Sequence, residues 1–216
     1  RAEKPSNASE ADSEPDSLVD NPVDFLALQQ ENPDIYAWIQ VPGTNVNYPV
    51  VQHPTDDDYY LTHNRDNEVS PEGAIYSQLA NNTDFRDPVT LLYGHNNVNE
   101  AMFSTLHYFG NADFFAANDT FYIYTQDHIL TYRIISAYIY DDRHILKSFD
   151  FKKPNVVLDY FAFVAQPDSL LANARPDTKL TISDKIVQLS TCMSDPLQAN
   201  SRFLVNGVLI DDQPTY

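Results

Sequence analysis

The stretch TFYIYTQDHILTYRIISAYIY, residues 120–140, is rich in β-branched and aromatic residues, with a polar break at its middle. Such residues pack well on a pleated, half-buried surface. Tyr122, Tyr124, Tyr132, Ile134 and Tyr138 fit the two-residue period of strands, and TQDHI reads as the hairpin turn between two of them. GAIYS, VTLLYGH, KIVQLSTC and RFLVNGVLI are further strand candidates, and Pro42-Gly43 marks a turn inside IQVPGTNVNYPVVQ. One segment breaks this texture. After Pro154, the residues Val156, Val157, Tyr160, Phe161 and Val164 fall at helical spacing, and Pro167 stops the run. Near the N-terminus, Asp20 or Asn21 offers an N-cap and Pro22 suits a first helical turn. A helix is therefore expected up to Asn32-Pro33, with a short second helix over DIYAWI. The pattern predicts a mainly β, mostly antiparallel domain, closed or sandwich-like, with N-terminal helices and one helix inserted before KIVQLSTC. Five glycines in the whole chain and no internal repeat argue against a repeat architecture.

The length of 216 residues suits one domain with a substantial core. Residues 1–20 are rich in Glu, Asp, Ser and Pro, and cannot bury enough apolar surface to offset chain entropy. They read as a flexible acidic tether, leaving residues 21–216 as the folded domain. A formal net charge of −18 repels phosphate backbones and anionic lipid surfaces, so nucleic acid is not expected as a partner. The chain opens on Arg1, without Met, and is read as lacking its true N-terminus. Any signal or membrane anchor is expected in the missing part. No metal or cofactor is expected: TDDDYY lacks the spacing of a calcium loop, and no Cys/His zinc spacing occurs.

Cys192 is the only cysteine, so an internal disulfide is impossible. It ends one strand candidate, and Arg202 opens the next. Of the six histidines, His53, His63, His107, His128 and His144 fall in settings that read as surface or turn. His95 differs: it follows Gly94 directly after the strand VTLLY, at a rigid edge. A thiol needs a base or a cation nearby to act as a nucleophile, and these three groups at three strand ends can meet on one rim. Each also has a plainer explanation. A lone Cys can be a small buried hydrophobe, a strand-end His can be solvated, and an Arg can guard a sheet edge. Papain-like proteases place Cys before His, the reverse of the order here, and the local signature of caspase-like proteases is absent.

These residues resemble those of the class B sortases, cell-surface cysteine transpeptidases of Gram-positive bacteria. NPDIYAWIQVPGTNVNYPVVQ, DDDYYLTHN and EGAIYS occur in the family's order. LLYGHN followed by MFSTL resembles its histidine motif, and LSTC with an Arg ten residues on resembles its cysteine–arginine signature. The likeness covers nearly everything from Pro22 to Ile210 and implies the sortase eight-stranded β-barrel, with the helix before the cysteine strand as the class B insertion. By position it implies Cys192 as nucleophile, His95 as general acid and base, and Arg202 as the cation that orients substrate or meets the oxyanion. It also implies a substrate groove lined by Leu61, Tyr93, Ser190 and Thr191. Asp57 and Met193 stand where relatives can carry Asn and Glu, which leaves the sorting motif open. The implied reaction cleaves a C-terminal sorting motif of secreted proteins through an acyl-thioester. The product is then transferred to an amino group of a peptidoglycan precursor or, alternatively, to a pilin Lys. The implied location is the outer face of the cell membrane. Without the resemblance, a non-catalytic extracellular β-domain stays open as a reading, as does hydrolysis in place of transfer.

Overall fold

The computed structural model describes residues 18–169, 171–194 and 196–216. Residues 1–17, most of the segment read as a tether, lie outside the described residues. In chain order the elements are α1 (Phe25–Glu31), β1 (Ile35–Gln40), β2 (Asn47–Val51), β3 (Ile75–Tyr76), β4 (Val89–Tyr93), α2 (Ala112–Ala117), β5 (Thr120–Tyr124), β6 (His128–Asp141), α3 (Ile145–Ser148), α4 (Pro154–Ala165), β7 (Ala172–Ala174), β8 (Ile186–Cys192) and β9 (Ser201–Pro214).

The strands form one sheet in the order β5-β1-β2-β3-β4-β8-β9-β6-β7, and a further β5–β6 pairing closes the first eight into a barrel. The expected eight-stranded barrel is therefore present, with β7 appended to β6. Closure leaves those eight strands without a free edge. Most pairs are antiparallel, but β2–β3 and β4–β8 run parallel. The second of these sets the ends of β4 and β8 at the same rim.

The short helix expected over DIYAWI is instead β1. Ile35, Ala37 and Ile39 are fully buried while Tyr36, Trp38 and Gln40 are half-exposed, a strict two-residue alternation that only a strand can satisfy. Pairing with β2 and β5 on both sides outweighs any local helical tendency. The N-cap of α1 also lies later than expected. Asp24 accepts from Ala27 N at 3.0 Å, while the Asn21 amide donates to Thr125 O at 2.7 Å and anchors the chain to the barrel.

Alternation along β8 and β9 sorts their side chains between two cores. Val187, Leu189, Phe203 and Val205 point into the barrel with Phe121 and Tyr132. Ile186, Leu204 and Val208 point outward, beneath α4. The helix forms where its spacing placed it, with Pro154 in the first turn and Val157, Tyr160, Phe161 and Val164 buried. Each such side chain contributes roughly 1.5–3 kcal/mol of burial. A buried polar relay runs between helix and barrel. Tyr160 Oη donates to Gln188 Oε1 at 2.8 Å, Gln188 Nε2 to Asn206 Oδ1 at 2.6 Å, Asn206 Nδ2 to Ser136 Oγ at 3.1 Å, and Ser136 Oγ to Val164 O at 2.6 Å. It fixes the outer face of β8 four residues before the cysteine.

Candidate active site

The same alternation that turns Ile186 and Gln188 outward also turns out Ser190 and Cys192. On β9 the outward set includes Arg202 and Leu204. Cys192 pairs with Arg202 and Ser190 with Leu204 across the antiparallel ladder, so the thiol and the guanidinium leave one face side by side. On the other side of β8, Tyr93 pairs with Ser190 in the parallel ladder. Backbone pairing then runs one step further, Gly94 N donating to Ser190 O at 3.1 Å, and His95 follows. The three strand-end groups thus lie at one rim of the barrel, outside the cluster packed with α4.

They border one cavity of about 260 Å³, which Leu61, Tyr93, Ser190 and Thr191 also line. All seven residues singled out from the sequence are thus brought together. Cys192 is free and exposed, so it is not the small buried hydrophobe that a lone cysteine can be. Arg202 is half-buried, and its Nη1 donates to Ser201 O at 3.1 Å.

The His95 ring is held by backbone. Its Nε2 lies 2.7 Å from Leu61 O. A carbonyl can only accept, so Nε2 carries the hydrogen and Nδ1 is left to take or give a proton. Gly73 makes room for the ring: its φ of +60° suits glycine, and a Cβ there would lie 3.1 Å from His95 Cδ2 and 2.6 Å from Tyr60 O. Tyr93 stacks on Tyr76 with ring centroids 5.3 Å apart. Burial pushes both phenols well above their ordinary pKa, so they line the cavity as neutral rings.

Several residues of this region escaped the sequence reading. His107, expected at the surface, is half-buried, with its Nε2 3.0 Å from Cys192 O and its ring stacked on Phe203. His144, also read as surface, lines the cavity with Asp141 and Arg143, and neither of its ring nitrogens has a hydrogen-bond partner among the described residues. No local pattern announces either position, because each depends on contacts between distant segments. Asp57 accepts from Leu79 N at 2.7 Å, whereas its neighbour Asp58 borders the cavity. Met193 packs its side chain against the barrel core.

Comparison with known proteins gives one consistent result. The family model described as the sortase domain matches residues 39–210. Sortase B of Listeria monocytogenes is 30% identical over 189 residues, covering 85% of this chain and 72% of the relative. The crystal structure of Clostridium perfringens sortase B superposes with a TM-score of 0.77 at 33% identity, covering 87% of this chain and all of that one. A Streptococcus pyogenes class B sortase described as involved in pilus biogenesis superposes with a TM-score of 0.71 at 26% identity, covering 87% of this chain and 98% of that one. With the barrel, the inserted helix and the matched relatives all agreeing, this chain belongs to the sortase family and is a class B cysteine transpeptidase that cleaves sorting motifs.

Proposed function

We propose that Cys192, as thiolate, attacks a backbone carbonyl within the sorting motif of a secreted protein, the carbonyl of a Thr residue being the expected target. The Cα-to-Cα pairing of Cys192 with Arg202 beside a cavity shared with His95 is the observation that carries this reading. The C–N bond of the peptide breaks, an acyl-thioester forms on sulfur, and His95 gives the departing amine its proton. An incoming amine then attacks the thioester, the C–S bond breaks, His95 takes up the proton released by the amine, and the thiolate is restored. Arg202 cannot serve as the base, because a guanidinium keeps its charge at working pH. It suits the negative charge that develops on the carbonyl oxygen, where one fixed donor can contribute a few kcal/mol to lowering the barrier. Leu61, Tyr93, Ser190 and Thr191 would hold the peptide in the cavity.

Residues 21–216 would act as the catalytic domain outside the cell membrane, with an amino group of a peptidoglycan precursor as acceptor. The pilus role of the Streptococcus pyogenes relative supports a second reading, in which the acceptor is a pilin Lys. The two separate in one assay. A library of sorting peptides is incubated with the enzyme and either a peptidoglycan-type amine or a Lys-bearing peptide, and ligated product is measured by mass spectrometry. Ligation to the first acceptor alone supports wall attachment, to the second alone pilin polymerisation. Hydrolysed product only, with both acceptors present, would contradict transfer.

A further inference from the structure

The parallel ladder between β4 and β8 ends with Gly94 N donating to Ser190 O at 3.1 Å. Alternate carbonyls of a strand face the same neighbour, so the next acceptor on that side is Cys192 O. A continued β4 would supply its donor from the backbone of residue 96. The chain turns away there, and side chains take over. Asn96 Nδ2 donates to Cys192 O at 3.0 Å, and His107 Nε2 lies 3.0 Å from the same oxygen. Both lone pairs of the carbonyl are thereby engaged.

The two donors are themselves fixed. Asn96 Nδ2 also reaches Ser194 Oγ at 2.6 Å and so ties down the turn after the cysteine. The His107 ring stacks on Phe203, with centroids 4.9 Å apart, and Phe203 adjoins Arg202. Since a carbonyl cannot donate, His107 must present its hydrogen at Nε2. The 3.2 Å approach of Asn96 Nδ2 to His107 Nε2 is then two donors converging on one acceptor. Burial lowers the pKa of His107, which favours the neutral ring. The clamp therefore joins the residue after His95, the carbonyl of Cys192 and, through one ring stack, the residue after Arg202.

We propose that Asn96 and His107 are positioning residues that hold the end of β8, and with it the Cys192 sulfur, in register with His95 and Arg202. They also turn the negative end of the Cys192 carbonyl dipole toward donors and away from the developing thiolate. The proposal rests on the reading of Cys192 as nucleophile, and extends it to two side chains outside the cavity lining.

The test uses the full chain with His107→Phe, His107→Gln and Asn96→Asp, and Cys192→Ala as a control, each checked for native far-UV circular dichroism. Phe keeps a ring on Phe203 and deletes the donor. Gln restores a donor near the Nε2 position. Asp is nearly isosteric with Asn but turns a donor into an acceptor, and it carries the test if the Phe variant does not fold. Cleavage of a sorting peptide gives kcat and KM, and alkylation by iodoacetamide reports the sulfur directly. The expected result is a kcat lowered roughly tenfold or more in His107→Phe and Asn96→Asp at unchanged KM, because misplacement of a reacting group by about 1 Å costs up to 10²-fold. His107→Gln should recover most of the loss, and alkylation should slow in the same order. A His107→Phe or Asn96→Asp enzyme with wild-type kcat, or a Gln variant no better than Phe, overturns the proposal. Full cleavage by Cys192→Ala would overturn the nucleophile reading instead, and the alkylation series would still decide the clamp.

Discussion

Cys192 and Arg202 face each other as register partners across β8 and β9, ten residues apart in the chain and adjacent on one face of the barrel wall. The ladder sets their relation, so the guanidinium can be altered without moving the sulfur. Arg202→Lys keeps a positive charge but loses the planar fork of donors. The expected result is a fall in kcat on the order of 10²-fold, the scale seen when one oxyanion donor is removed. The thermal midpoint should barely change, since Arg202 is only half-buried. Steady-state kinetics with a thermal melt check both halves, and a near-normal rate would remove Arg202 from the chemistry.

Gly94 supports His95 from behind. A Cβ there would sit 2.6 Å from both Ile75 Cδ1 and Phe103 Cγ, inside the packed core. Gly94→Ala should cost about 1–3 kcal/mol, as overpacking does, and should lower kcat by shifting the adjoining histidine. Gly110→Ala is the control, because its Cβ would come no closer than 3.9 Å to Phe203. Urea unfolding of the two variants should separate them clearly.

The relay from α4 into the barrel yields a stability prediction. Tyr160→Phe deletes one hydroxyl and leaves Gln188 Oε1 buried without that partner. The cost expected for an orphaned buried acceptor is about 1–3 kcal/mol, read as a lowered urea midpoint. Little change would show that water replaces the hydroxyl.

Burial depresses the pKa of His107 below its ordinary 6.5. Below pH 6.5 the unfolded chain therefore binds a proton more readily than the folded one. The associated stability is fully present above that pH and is lost as pH falls through the depressed value. Lowering the pH from roughly 7.5 to roughly 5.5 should reduce the urea midpoint of the wild type more than that of His107→Gln. Equal reductions would mean that the ring stays accessible to protons in the folded state.

The parts of this molecule that the sequence made legible are those in which a local pattern agrees with tertiary structure. The 154–165 helix carries its apolar face at 3.6-residue spacing and packs as that spacing demands. Cys192, His95 and Arg202 stood out because each sits at the edge of an unambiguous strand. DIYAWI misled because a six-residue run flanked by helix signals is short. Its alternation gains meaning only once β2 and β5 lie on either side. The three-residue β7 exists only as a partner for the long β6. His107 and His144 carry no sequence signal, since the partners that fix the first, Cys192 O and the Phe203 ring, come from the distant β8 and β9, and the second belongs to a cavity wall.

The most direct measurement is the mass of the intact protein after brief incubation with a sorting peptide, for the wild type and for Cys192→Ala. One acyl adduct on the wild type, mapped to the peptide that contains Cys192 and absent from the variant, is the predicted result. An adduct on another residue, or cleavage that survives the loss of the sulfur, would contradict it.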